Sequence, residues 1–504
     1  MRWISICHRG TVTAFRKTKI VCSIGPASSS PAILAEMVQA GMDVARINMS
    51  HGSYEEHSAS IANVRVASER FGRIVAILGD LCGPKLRIVS LPEEFRMVAT
   101  GQRMRIVEGE GAAGPGVVSI TPLGVVPSVQ PGEVIAFADG AVKVLVQENV
   151  DGELLAIVTQ AGSLAPRKGV NFPDSTFSIP AMTEKDYADL GFLLDEGVDF
   201  VALSFVGSAR DITEAKNYIA NQVPFQEAPR VIAKIERKEA LRRITEIVRA
   251  SDGVMVARGD LGVETPVERV PIEQKRIIHL ANEYGKPVIT ATQMLESMVS
   301  SASPTRAEAS DVANAIFDGT DAIMLSAETA VGSFPAEAVA YMDRIAVATE
   351  GEVGDRELSR VDVPIPSIVS VADSIGSAAQ TVARSLPVTV IVAVTESGHS
   401  ARVISRFRPN VAIVGATPNP RAARSLALSY GVVPAVIGRS PSTEVVVQDA
   451  IAAGVGLGLC DPGDLCVLVA GIPFGVRGTT NLVKVQAVGE GFLSNGDLRE
   501  IDFE

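Results

Sequence analysis

Charged residues suited to phosphate chemistry follow two short apolar runs in the middle of the chain. The run at residues 231–235 carries Lys234 and leads into Glu236, and the run at residues 254–257 leads towards Asp260. Apolar runs of this length are typical of buried parallel strands. Two carboxylates and a lysine at neighbouring strand ends offer ligands for Mg²⁺ and a positive charge for a phosphorylated acid.

Glycines beside Asp260 add a second feature to the same stretch. Gly259 and Gly262 allow the backbone to approach a ligand closely, and Asp260-Leu-Gly262 is typical of a helix start, whose free N–H groups bind anions. Charged residues at strand ends are also common as surface ion pairs. These residues alone therefore leave two alternatives, surface ion pairs and a metal–phosphate site.

The elements that must position these residues form a regular alternation from Lys19 onward. Apolar runs of strand length alternate with amphipathic stretches of helical length, which is the signature of βα units. The runs are residues 19–25, 44–49, 74–79, 200–206, 231–235, 254–257, 287–292 and 322–326. Eight parallel strands with helices between them predict an α/β fold with a (β/α)₈ TIM barrel, whose sites lie at the carboxyl ends of the strands.

Polar residues stand at the ends of six of these runs. They are Arg46 and Asn48, Asp80, Lys234 and Glu236, Arg258 and Asp260, Thr292 and Gln293, and Ser326 and Glu328. One charged strand end is unremarkable, but six that converge on one barrel mouth favour a functional site.

A long insertion separates the third and fourth predicted strands, so the catalytic barrel comprises residues 18–88 and 171–350. Within residues 89–170, β-like runs at 134–137, 141–146 and 154–158 are separated by Asp139-Gly140 and Asp151-Gly152, which are good hairpin turns. The insertion predicts a small β-barrel domain over the barrel mouth. Such a position suits a lid that closes on substrate and excludes water.

The chain after residue 350 predicts a linker and a regulatory domain. Residues 351–366 are rich in charge and contain Pro364 and Pro366, as linkers do. Residues 367–504 alternate apolar runs with helical patterns, which predicts an open α/β sheet. The runs are residues 388–394, 411–415, 432–437, 465–470 and 482–488.

Composition limits the classes of protein that fit. A chain of 504 residues with 47% apolar and 21% charged residues is globular and predicts two to four domains. The net charge of −12 argues against a nucleic-acid partner. Prolines within residues 111–132 exclude a membrane helix there. The five cysteines have neither metal-ligand nor disulfide-scaffold spacing, so we expect a cytoplasmic protein. Residues 1–17 lack the apolar core of a secretory signal and are expected to be a flexible start.

Taken together, five motifs resemble those of pyruvate kinases. They are Arg46-Ile-Asn-Met-Ser-His-Gly52, Ile232-Ala-Lys-Ile-Glu236, Met255-Val-Ala-Arg-Gly-Asp-Leu-Gly-Val-Glu264, Thr290-Ala-Thr-Gln-Met-Leu-Glu-Ser297 and Ile323-Met-Leu-Ser-Ala-Glu-Thr329. The resemblance covers residues 18–490 in the same order and domain layout. It implies a glycolytic phosphotransferase that converts phosphoenolpyruvate and ADP to pyruvate and ATP, with Mg²⁺ or Mn²⁺ as cofactor, in a homotetramer.

The same resemblance implies roles for the residues at the barrel mouth. Glu236 and Asp260 are expected to hold Mg²⁺, and Lys234 to stabilise the moving phosphoryl group and the enolate. Arg46 and Arg87 are expected to bind phosphate, and the N–H groups of Gly259 and Asp260 to bind the substrate carboxylate. Thr292 and Ser326 are expected to serve protonation. The residues expected to bind the nucleotide are Asn48, His51 and Arg87.

One loop departs from the pattern of many relatives that also need K⁺. The resemblance places their monovalent ion at Asn48, Ser50, Asp80 and the backbone of Leu81. Their loop reads Asp-Thr-Lys-Gly-Pro-Glu, whereas this chain has Asp80-Leu-Cys-Gly-Pro-Lys85. The ammonium of Lys85 is close to K⁺ in charge, so we expect an enzyme of the potassium-independent branch.

A hydroxyl-rich turn, Thr395-Glu-Ser-Gly-His-Ser400, follows the first strand of the predicted C-terminal sheet and suits a phosphate group. The residues expected to bind a phosphorylated activator are Thr395, Ser397, Ser400, Arg402 and Thr479. Glu396 would repel a bisphosphate, so we expect a monophosphate.

Two other functions remain possible from the sequence. Another barrel enzyme that handles phosphoenolpyruvate, such as a mutase or a Mg²⁺-dependent aldolase, shares the metal carboxylates but lacks the insertion and the C-terminal sheet. A catalytically silent metabolite sensor would have lost one of the chemical groups, yet Lys234, Glu236, Asp260 and Thr292 are all present.

Overall fold

The computed structural model describes residues 15–109, 114, 116–121, 123–175, 179–353, 370–472 and 479–490. In chain order its strands are β1 (Lys19–Ile24), β2 (Val44–Asn48), β3 (Ala76–Asp80), β4 (Arg87–Ser90), β5 (Met97–Val98), β6 (Arg103–Glu108), β7 (Val117–Thr121), β8 (Val134–Phe137), β9 (Val142–Val150), β10 (Glu153–Gln160), β11 (Gly162–Ser163), β12 (Val170–Asn171), β13 (Phe200–Leu203), β14 (Arg230–Ile235), β15 (Gly253–Ala257), β16 (Val288–Ala291), β17 (Ala322–Leu325), β18 (Val388–Val394), β19 (Ala412–Thr417), β20 (Val432–Val436), β21 (Leu465–Gly471) and β22 (Thr480–Ala487).

The α-helices are α1 (Pro31–Ala40), α2 (Tyr54–Phe71), α3 (Glu184–Asp195), α4 (Ala209–Gln222), α5 (Lys238–Arg242), α6 (Ile244–Ala250), α7 (Arg258–Glu264), α8 (Val270–Glu283), α9 (Arg306–Phe317), α10 (Ala327–Ala330), α11 (Pro335–Val353), α12 (Val371–Ser385), α13 (His399–Arg406), α14 (Pro420–Leu426) and α15 (Thr443–Gly456). Short 3₁₀ helices span Glu93–Phe95, Val126–Ser128, Val267–Arg269 and Glu296–Val299. No helix within these ranges is both long and apolar enough to cross a membrane.

Eight parallel strands close into a barrel in the order β1, β2, β3, β13, β14, β15, β16 and β17. They correspond to the eight predicted runs with small shifts at their ends, so the predicted (β/α)₈ barrel is confirmed. The strands are apolar along their length because helices cover the outside of the barrel while side chains fill its centre. Fully buried residues such as Ile20 and Val231 belong to this core.

An aspartate precedes every second barrel strand and accepts a hydrogen bond from the strand before it. The four bonds, each 2.9 Å, run from Ile20 N–H to Asp43, from Ile77 N–H to Asp199, from Val231 N–H to Asp252 and from Val288 N–H to Asp321. All four lie at the amino ends of the strands, opposite the barrel mouth. Features at this end of such barrels serve stability rather than chemistry.

The insertion forms a sheet in the order β12, β8, β9, β10, β6, β7 and β4, with a small ribbon of β5 and β11 beside it. The antiparallel pairs of β8 with β9 and β9 with β10 match the two predicted hairpins. Asp139 and Asp151 have φ angles of 55° and 50°, the left-handed conformation that the turns require. Strands β4 to β7 were not predicted from the sequence. Asn171 joins this lid to the barrel by a hydrogen bond of 3.1 Å to Glu264.

The C-terminal domain is an open sheet in the order β20, β19, β18, β21 and β22, of which only β22 is antiparallel among these described strands. It confirms the predicted α/β class and matches the predicted runs closely. Helix α11 continues to Val353, so it extends into the predicted linker at residues 351–366. Residues 354–366 of that linker lie outside the described residues.

Residues 15–17, the described end of the predicted flexible start, lie against the barrel. The buried guanidinium of Arg16 pairs with Asp43 at 2.9 Å and with Asp343 at 2.6 Å, and the N–H of Lys17 donates to Glu350 at 2.7 Å. These contacts hold Arg16 and Lys17 against the barrel, while the flexible start at residues 1–17 stays a prediction. Residues 1–14 lie outside the described part of the chain.

The C-terminal domain packs on the amino ends of the barrel strands. Arg424 pairs with Asp199 at 2.6 Å, and Arg408 pairs with Asp321 at 3.2 Å. Two of the four aspartates that anchor barrel strands thus also bind the C-terminal domain. These ion pairs attach the C-terminal domain to the residues that precede β13 and β17.

Candidate active site

Lys234 stands at the centre of the barrel mouth, near the carboxyl end of β14. Its ammonium lies 2.9 Å from a carboxylate oxygen of Glu236 and 3.3 Å from one of Asp80, and it donates a hydrogen bond of 2.6 Å to the hydroxyl of Ser204. Strands β14, β3 and β13 therefore bring these groups together. The sequence predicted Lys234, Glu236 and Asp80 for the site, whereas Ser204 was missed.

The charge of Lys234 is fixed by its neighbours. Burial by itself would lower the pKa of Lys234, but the carboxylates of Asp80 and Glu236 outweigh burial, and the pKa is raised. The ammonium therefore remains protonated at neutral pH. A compact positive charge at this place suits a phosphoryl group in transfer.

Glu236 and Asp260 form a pair of carboxylates beside this lysine. Glu236 is buried and accepts a hydrogen bond of 2.7 Å from the N–H of Phe205, and Asp260 lies in the first turn of α7. Burial, and next the charge of Glu236, raise the pKa of Asp260 to about 6. Two hard oxygen donors whose charges repel each other suit a divalent cation.

The donor set also limits the kind of metal site. Among the described residues, no group of three or more His, Cys, Asp or Glu side chains is arranged to hold a metal ion. Two carboxylates fit Mg²⁺, which commonly keeps several waters and substrate oxygens as its other ligands. They do not fit a closed structural metal site.

Arg46 lies across the mouth from these carboxylates. Its guanidinium pairs with Asp80 at 2.6 Å and donates a hydrogen bond of 2.7 Å to the hydroxyl of Ser23. Burial would raise the pKa of Asp80, but Lys234 and Arg46 outweigh it and lower the pKa. Asp80 is therefore ionised and holds two of the predicted phosphate-binding cations in position.

Thr292 is held in a strained backbone conformation at the end of β16. Its φ angle is 68°, which a β-branched residue rarely adopts. Its hydroxyl accepts a hydrogen bond of 2.9 Å from the N–H of Gly259 and donates one of 2.7 Å to the carbonyl of Ala291. The hydroxyl thereby points towards the first turn of α7, which carries Asp260. In this state the N–H of Gly259, predicted to bind the substrate carboxylate, is engaged by Thr292.

Arg258 maintains that conformation, a role that the sequence did not reveal. Its Nη2 donates a hydrogen bond of 2.7 Å to the carbonyl of Thr292, and its Nη1 contacts both carboxylate oxygens of Asp311 at 2.7 and 2.9 Å. The sequence placed Arg258 at a strand end but assigned it no function. Asp311 lies in α9, far away along the chain, and no local signal predicts that contact.

Ser326, the other predicted protonation residue, lies at the end of β17. Its hydroxyl is shielded from solvent and has no hydrogen-bond partner among the described residues, while its N–H donates to Glu328 at 2.7 Å. Ser326 and Thr292 line the same cavity of about 1040 Å³, together with Arg46, Lys234 and Asp260. Glu328 also accepts from the N–H of Leu295 at 3.0 Å and so joins the loops after β16 and β17.

The predicted monovalent-cation residues surround a second, smaller cavity of about 280 Å³. Asn48, Ser50, Asp80, Leu81 and Lys85 all line it. The ammonium of Lys85 donates a hydrogen bond of 2.8 Å to the hydroxyl of Ser50. The carbonyl of Leu81, expected as a cation ligand, accepts a hydrogen bond of 2.8 Å from Ser204.

The three predicted nucleotide-binding residues meet at the same side of the mouth. Asn48 and Arg87 line the smaller cavity, and Asn48 and His51 line the larger one. Burial, followed by the charges of Lys85 and Arg87, lowers the pKa of His51. His51 is therefore neutral at physiological pH and lies close to two cations that suit phosphate.

Comparison with known proteins agrees with this geometry. Residues 15–339 match the family described as pyruvate kinase, barrel domain, and residues 373–486 match pyruvate kinase, alpha/beta domain. The chain belongs to the pyruvate kinase family. The pyruvate kinase of Sporosarcina psychrophila is 42% identical over 486 residues, covering 94% of this chain and 81% of that protein. That of Geobacillus stearothermophilus is 43% identical over 477 residues, with the same coverage.

A solved structure of the family gives the same result for the fold. The crystal structure of a pyruvate kinase from Cryptosporidium parvum superposes with a TM-score of 0.88 at 35% sequence identity, covering 94% of this chain and 96% of that chain. The match to the family confirms that this chain is an enzyme of the pyruvate kinase family, as its motifs indicated.

The predicted effector residues lie around the turn after β18, with Arg402 bonded to Ser397 from one side of it. The hydroxyl of Ser400 lies 2.6 Å from that of Thr480 on β22, next to the predicted Thr479, so the turn after β18 does face this segment. Thr395 is buried at the end of β18. Arg402, however, donates its Nη2 hydrogen bond to the carbonyl of Ser397 at 3.1 Å and lies towards the barrel.

Proposed function

We propose that the enzyme transfers the phosphoryl group of phosphoenolpyruvate to ADP and yields pyruvate and ATP, the glycolytic reaction of its family. The observation that carries the proposal is the position of the Lys234 ammonium between Asp80 and Glu236 at the mouth of a pyruvate kinase barrel. Transfer of this kind depends on positioning and on neutralising charge.

Cations of the chain supply much of that charge. Lys234 stabilises the transferring group and the enolate that remains, while Arg46 and Arg87 bind phosphate oxygens. Glu236 and Asp260 would hold Mg²⁺, or Mn²⁺ as a substitute, and the bound ion would add positive charge near the substrate oxygens. The raised pKa of Asp260 supports this assignment, because burial and the charge of Glu236 outweigh the stabilisation of its carboxylate by Lys234 and Lys85.

Thr292 and Ser326 serve the protonation of the enolate. A threonine hydroxyl is too weak an acid to act alone, so the proton reaches the substrate through water beside Thr292 and the unpartnered hydroxyl of Ser326. The N–H groups of Gly259 and Asp260 bind the substrate carboxylate. The N–H of Gly259 thereby exchanges its hydrogen bond to the hydroxyl of Thr292 for one to the substrate. That exchange would free the hydroxyl of Thr292 as the substrate arrives.

Asn48, His51 and Arg87 bind the nucleotide on the lid side of the mouth. Arg87 begins β4, the first strand of the lid sheet, so lid closure would move Arg87 towards the phosphates. Lys85 replaces a monovalent cation, and the reaction does not require K⁺.

Regulation, assembly and location complete the proposal. A phosphorylated activator binds the turn at Thr395, Ser397 and Ser400 with Arg402 and Thr479, the helix α13 presenting its N-terminus to the phosphate. The enzyme works as a homotetramer in the cytoplasm.

A coupled assay tests the reaction. Phosphoenolpyruvate and ADP with Mg²⁺, with and without K⁺, should give pyruvate at a rate that Lys234→Met reduces by about 10³-fold or more, because removal of preorganised charge commonly costs this much. Lys143→Met, on an exposed lid strand, serves as the control. No pyruvate from a folded wild-type enzyme would refute the proposal.

A further inference from the structure

Ser204 follows β13 directly and lies buried beside the ammonium of Lys234. Its hydroxyl donates a hydrogen bond of 2.8 Å to the carbonyl of Leu81 and accepts one of 2.6 Å from that ammonium. A hydroxyl has a single proton and a carbonyl can only accept, so this proton is committed to Leu81. The lone pairs of the hydroxyl are therefore left to face Lys234.

The ammonium of Lys234 has contacts of two kinds. Glu236 at 2.9 Å and Asp80 at 3.3 Å attract it by charge, and this attraction depends little on direction. The bond to Ser204 is short and directional. Oδ1 of Asp80 has no hydrogen-bond partner among the described residues, so the contact at 3.3 Å does not fix the ammonium. The carboxylates thus supply charge, and the serine supplies direction.

The residue after Ser204 holds one of these carboxylates. The N–H of Phe205 donates a hydrogen bond of 2.7 Å to Glu236, whose side chain is buried. Phe205 has a φ angle of 57°, a left-handed conformation that residues other than glycine rarely adopt. Strain of this kind persists only where the surrounding structure enforces it, and it commonly marks functional sites. The turn at residues 204–205 therefore contacts Lys234 through a side chain and Glu236 through the backbone.

The loop after β3 supports this turn. The N–H of Leu81 donates a hydrogen bond of 3.0 Å to the carbonyl of Ala202, so the acceptor of the serine proton is itself bonded to β13. A Cβ placed on Gly83 would lie 3.1 Å from the Cβ of Ser204 and 3.0 Å from the ring of Phe205. Contacts this close leave the turn no room to shift towards the loop. The Ser204 hydroxyl is consequently a fixed point between β3 and β13.

We infer that Ser204 is a positioning residue of the proposed reaction, which aims the ammonium of Lys234 at the phosphoryl group in transfer. The stem of a lysine is flexible, so charge alone leaves its ammonium several positions near two carboxylates. Lys234 lines both cavities of the barrel mouth, and without this bond its ammonium has space to move. A displacement of about 1 Å is enough to slow such a reaction about 10²-fold. The inference rests on the proposed function, because it assumes that a phosphoryl group meets Lys234.

Steady-state kinetics of the full-length enzyme with phosphoenolpyruvate, ADP and Mg²⁺ test the inference. Ser204→Ala removes the acceptor, so we expect kcat to fall about 10²-fold while KM for phosphoenolpyruvate changes less than about threefold, because the loss falls on the transition state. Ser204→Thr keeps a hydroxyl and should retain about a tenth of the wild-type kcat or more. Ser204→Cys fills the same space with a weak hydrogen-bonding group and should be nearly as slow as Ser204→Ala, which keeps the test decisive if the alanine variant does not fold.

Ser251→Ala is the matched control. Ser251 is buried like Ser204, and its hydroxyl also donates to a carbonyl, that of Val248 at 3.1 Å, but it precedes β15 at the end of the barrel opposite the mouth. The control should lower the melting temperature by a similar amount and keep kcat within about twofold of wild type. An unchanged kcat in Ser204→Ala, a rise in KM alone, or a loss in Ser204→Thr as large as in Ser204→Ala would each overturn the inference.

Crystal structures of the wild-type enzyme and of Ser204→Ala or Ser204→Cys give a readout that does not depend on turnover. Without substrates, the ammonium of Lys234 in the variant should lie about 1 Å or more from its wild-type position, a displacement that matches the expected loss of kcat. An ammonium that keeps its wild-type position would overturn the inference. If the wild-type enzyme forms no pyruvate but the ammonium moves in the variant, the proposed reaction fails and Ser204 still positions Lys234.

Discussion

The ammonium of Lys85 donates a hydrogen bond of 2.8 Å to the hydroxyl of Ser50. Both residues line the small cavity that also contains Asn48, Asp80 and Leu81. A covalently attached positive charge thus occupies the pocket where the family resemblance implied K⁺. Because an ammonium cannot dissociate from the protein, this position supports the proposal that the reaction does not require K⁺.

Lys85→Glu should create a requirement for K⁺. A carboxylate at residue 85 adds a negative charge beside Asp80 and needs a counter-ion, so we expect kcat/KM to fall by about 10²-fold in a buffer of organic cations, in line with the loss of one stabilising charge. Addition of K⁺ should restore much of it. Lys143→Glu on the lid is the matched control. Equal activity of the wild-type enzyme with and without K⁺ is expected, and a strict dependence would contradict the proposal.

Thr292→Val should separate phosphoryl transfer from protonation. Valine keeps the shape but removes the hydroxyl that binds Gly259, so we expect kcat for pyruvate formation to fall about 10²-fold, the usual scale for a lost proton-transfer group. ATP formation in a single turnover should fall much less. Equal losses in both steps would show that Thr292 only shapes the loop. Thr305→Val, at the exposed cap of α9, should leave kcat unchanged.

Arg258→Lys should lower kcat more than substrate affinity. Lysine has one terminal nitrogen and cannot contact Asp311 and the carbonyl of Thr292 at once, as Nη1 and Nη2 of Arg258 do. The strained conformation of Thr292 would relax, and we expect kcat to fall about tenfold with the melting temperature nearly kept. Steady-state kinetics and thermal denaturation measure this, with the exposed Arg306→Lys as control. An unchanged kcat would argue against a positioning role.

Asp43→Asn should destabilise the barrel at neutral pH. Burial would raise the pKa of Asp43, but Arg16, Lys19 and Arg73 outweigh it and lower the pKa. Its stabilising contribution is therefore complete above about pH 4 and is lost as the pH falls through the lowered pKa. Breaking this buried pair should cost about 3–5 kcal/mol at pH 7.

Denaturant unfolding of Asp43→Asn at several pH values, beside the exposed Asp195→Asn, checks both the size and the direction of this effect. The difference from wild type should shrink as the pH falls below about 4. A difference that grows in acid would contradict the assignment.

The barrel was predictable because its strands are buried on both faces and read as continuous apolar runs. The lid was predictable only where Asp139-Gly140 and Asp151-Gly152 mark tight turns. Arg103–Glu108 alternates charged and apolar residues, which is typical of a half-buried strand, but its pairing with β10, distant in the chain, has no local signal. The ion pairs of Arg16 were not predictable, because its partners Asp43 and Asp343 are remote in sequence.

Site residues were predictable where chemistry demands a residue type at a strand end, as for Lys234 and Glu236. Residues that hold others in place were not. Ser204 and Asp311 are small or common residues whose importance arises only from their contacts with Lys234 and Arg258. The sequence also could not show that Arg402 lies on the barrel side of its turn.

The hydrogen bond from Ile77 to Asp199 spans 122 residues, because the whole lid lies between the two strands that it joins. Forming it from a disordered chain closes a very long loop, which costs conformational entropy and slows folding. The lid has a hydrophobic core of its own, with Phe137 and Leu154 fully buried. We therefore expect the lid to fold first and shorten that loop, so that the order of folding is lid before barrel closure.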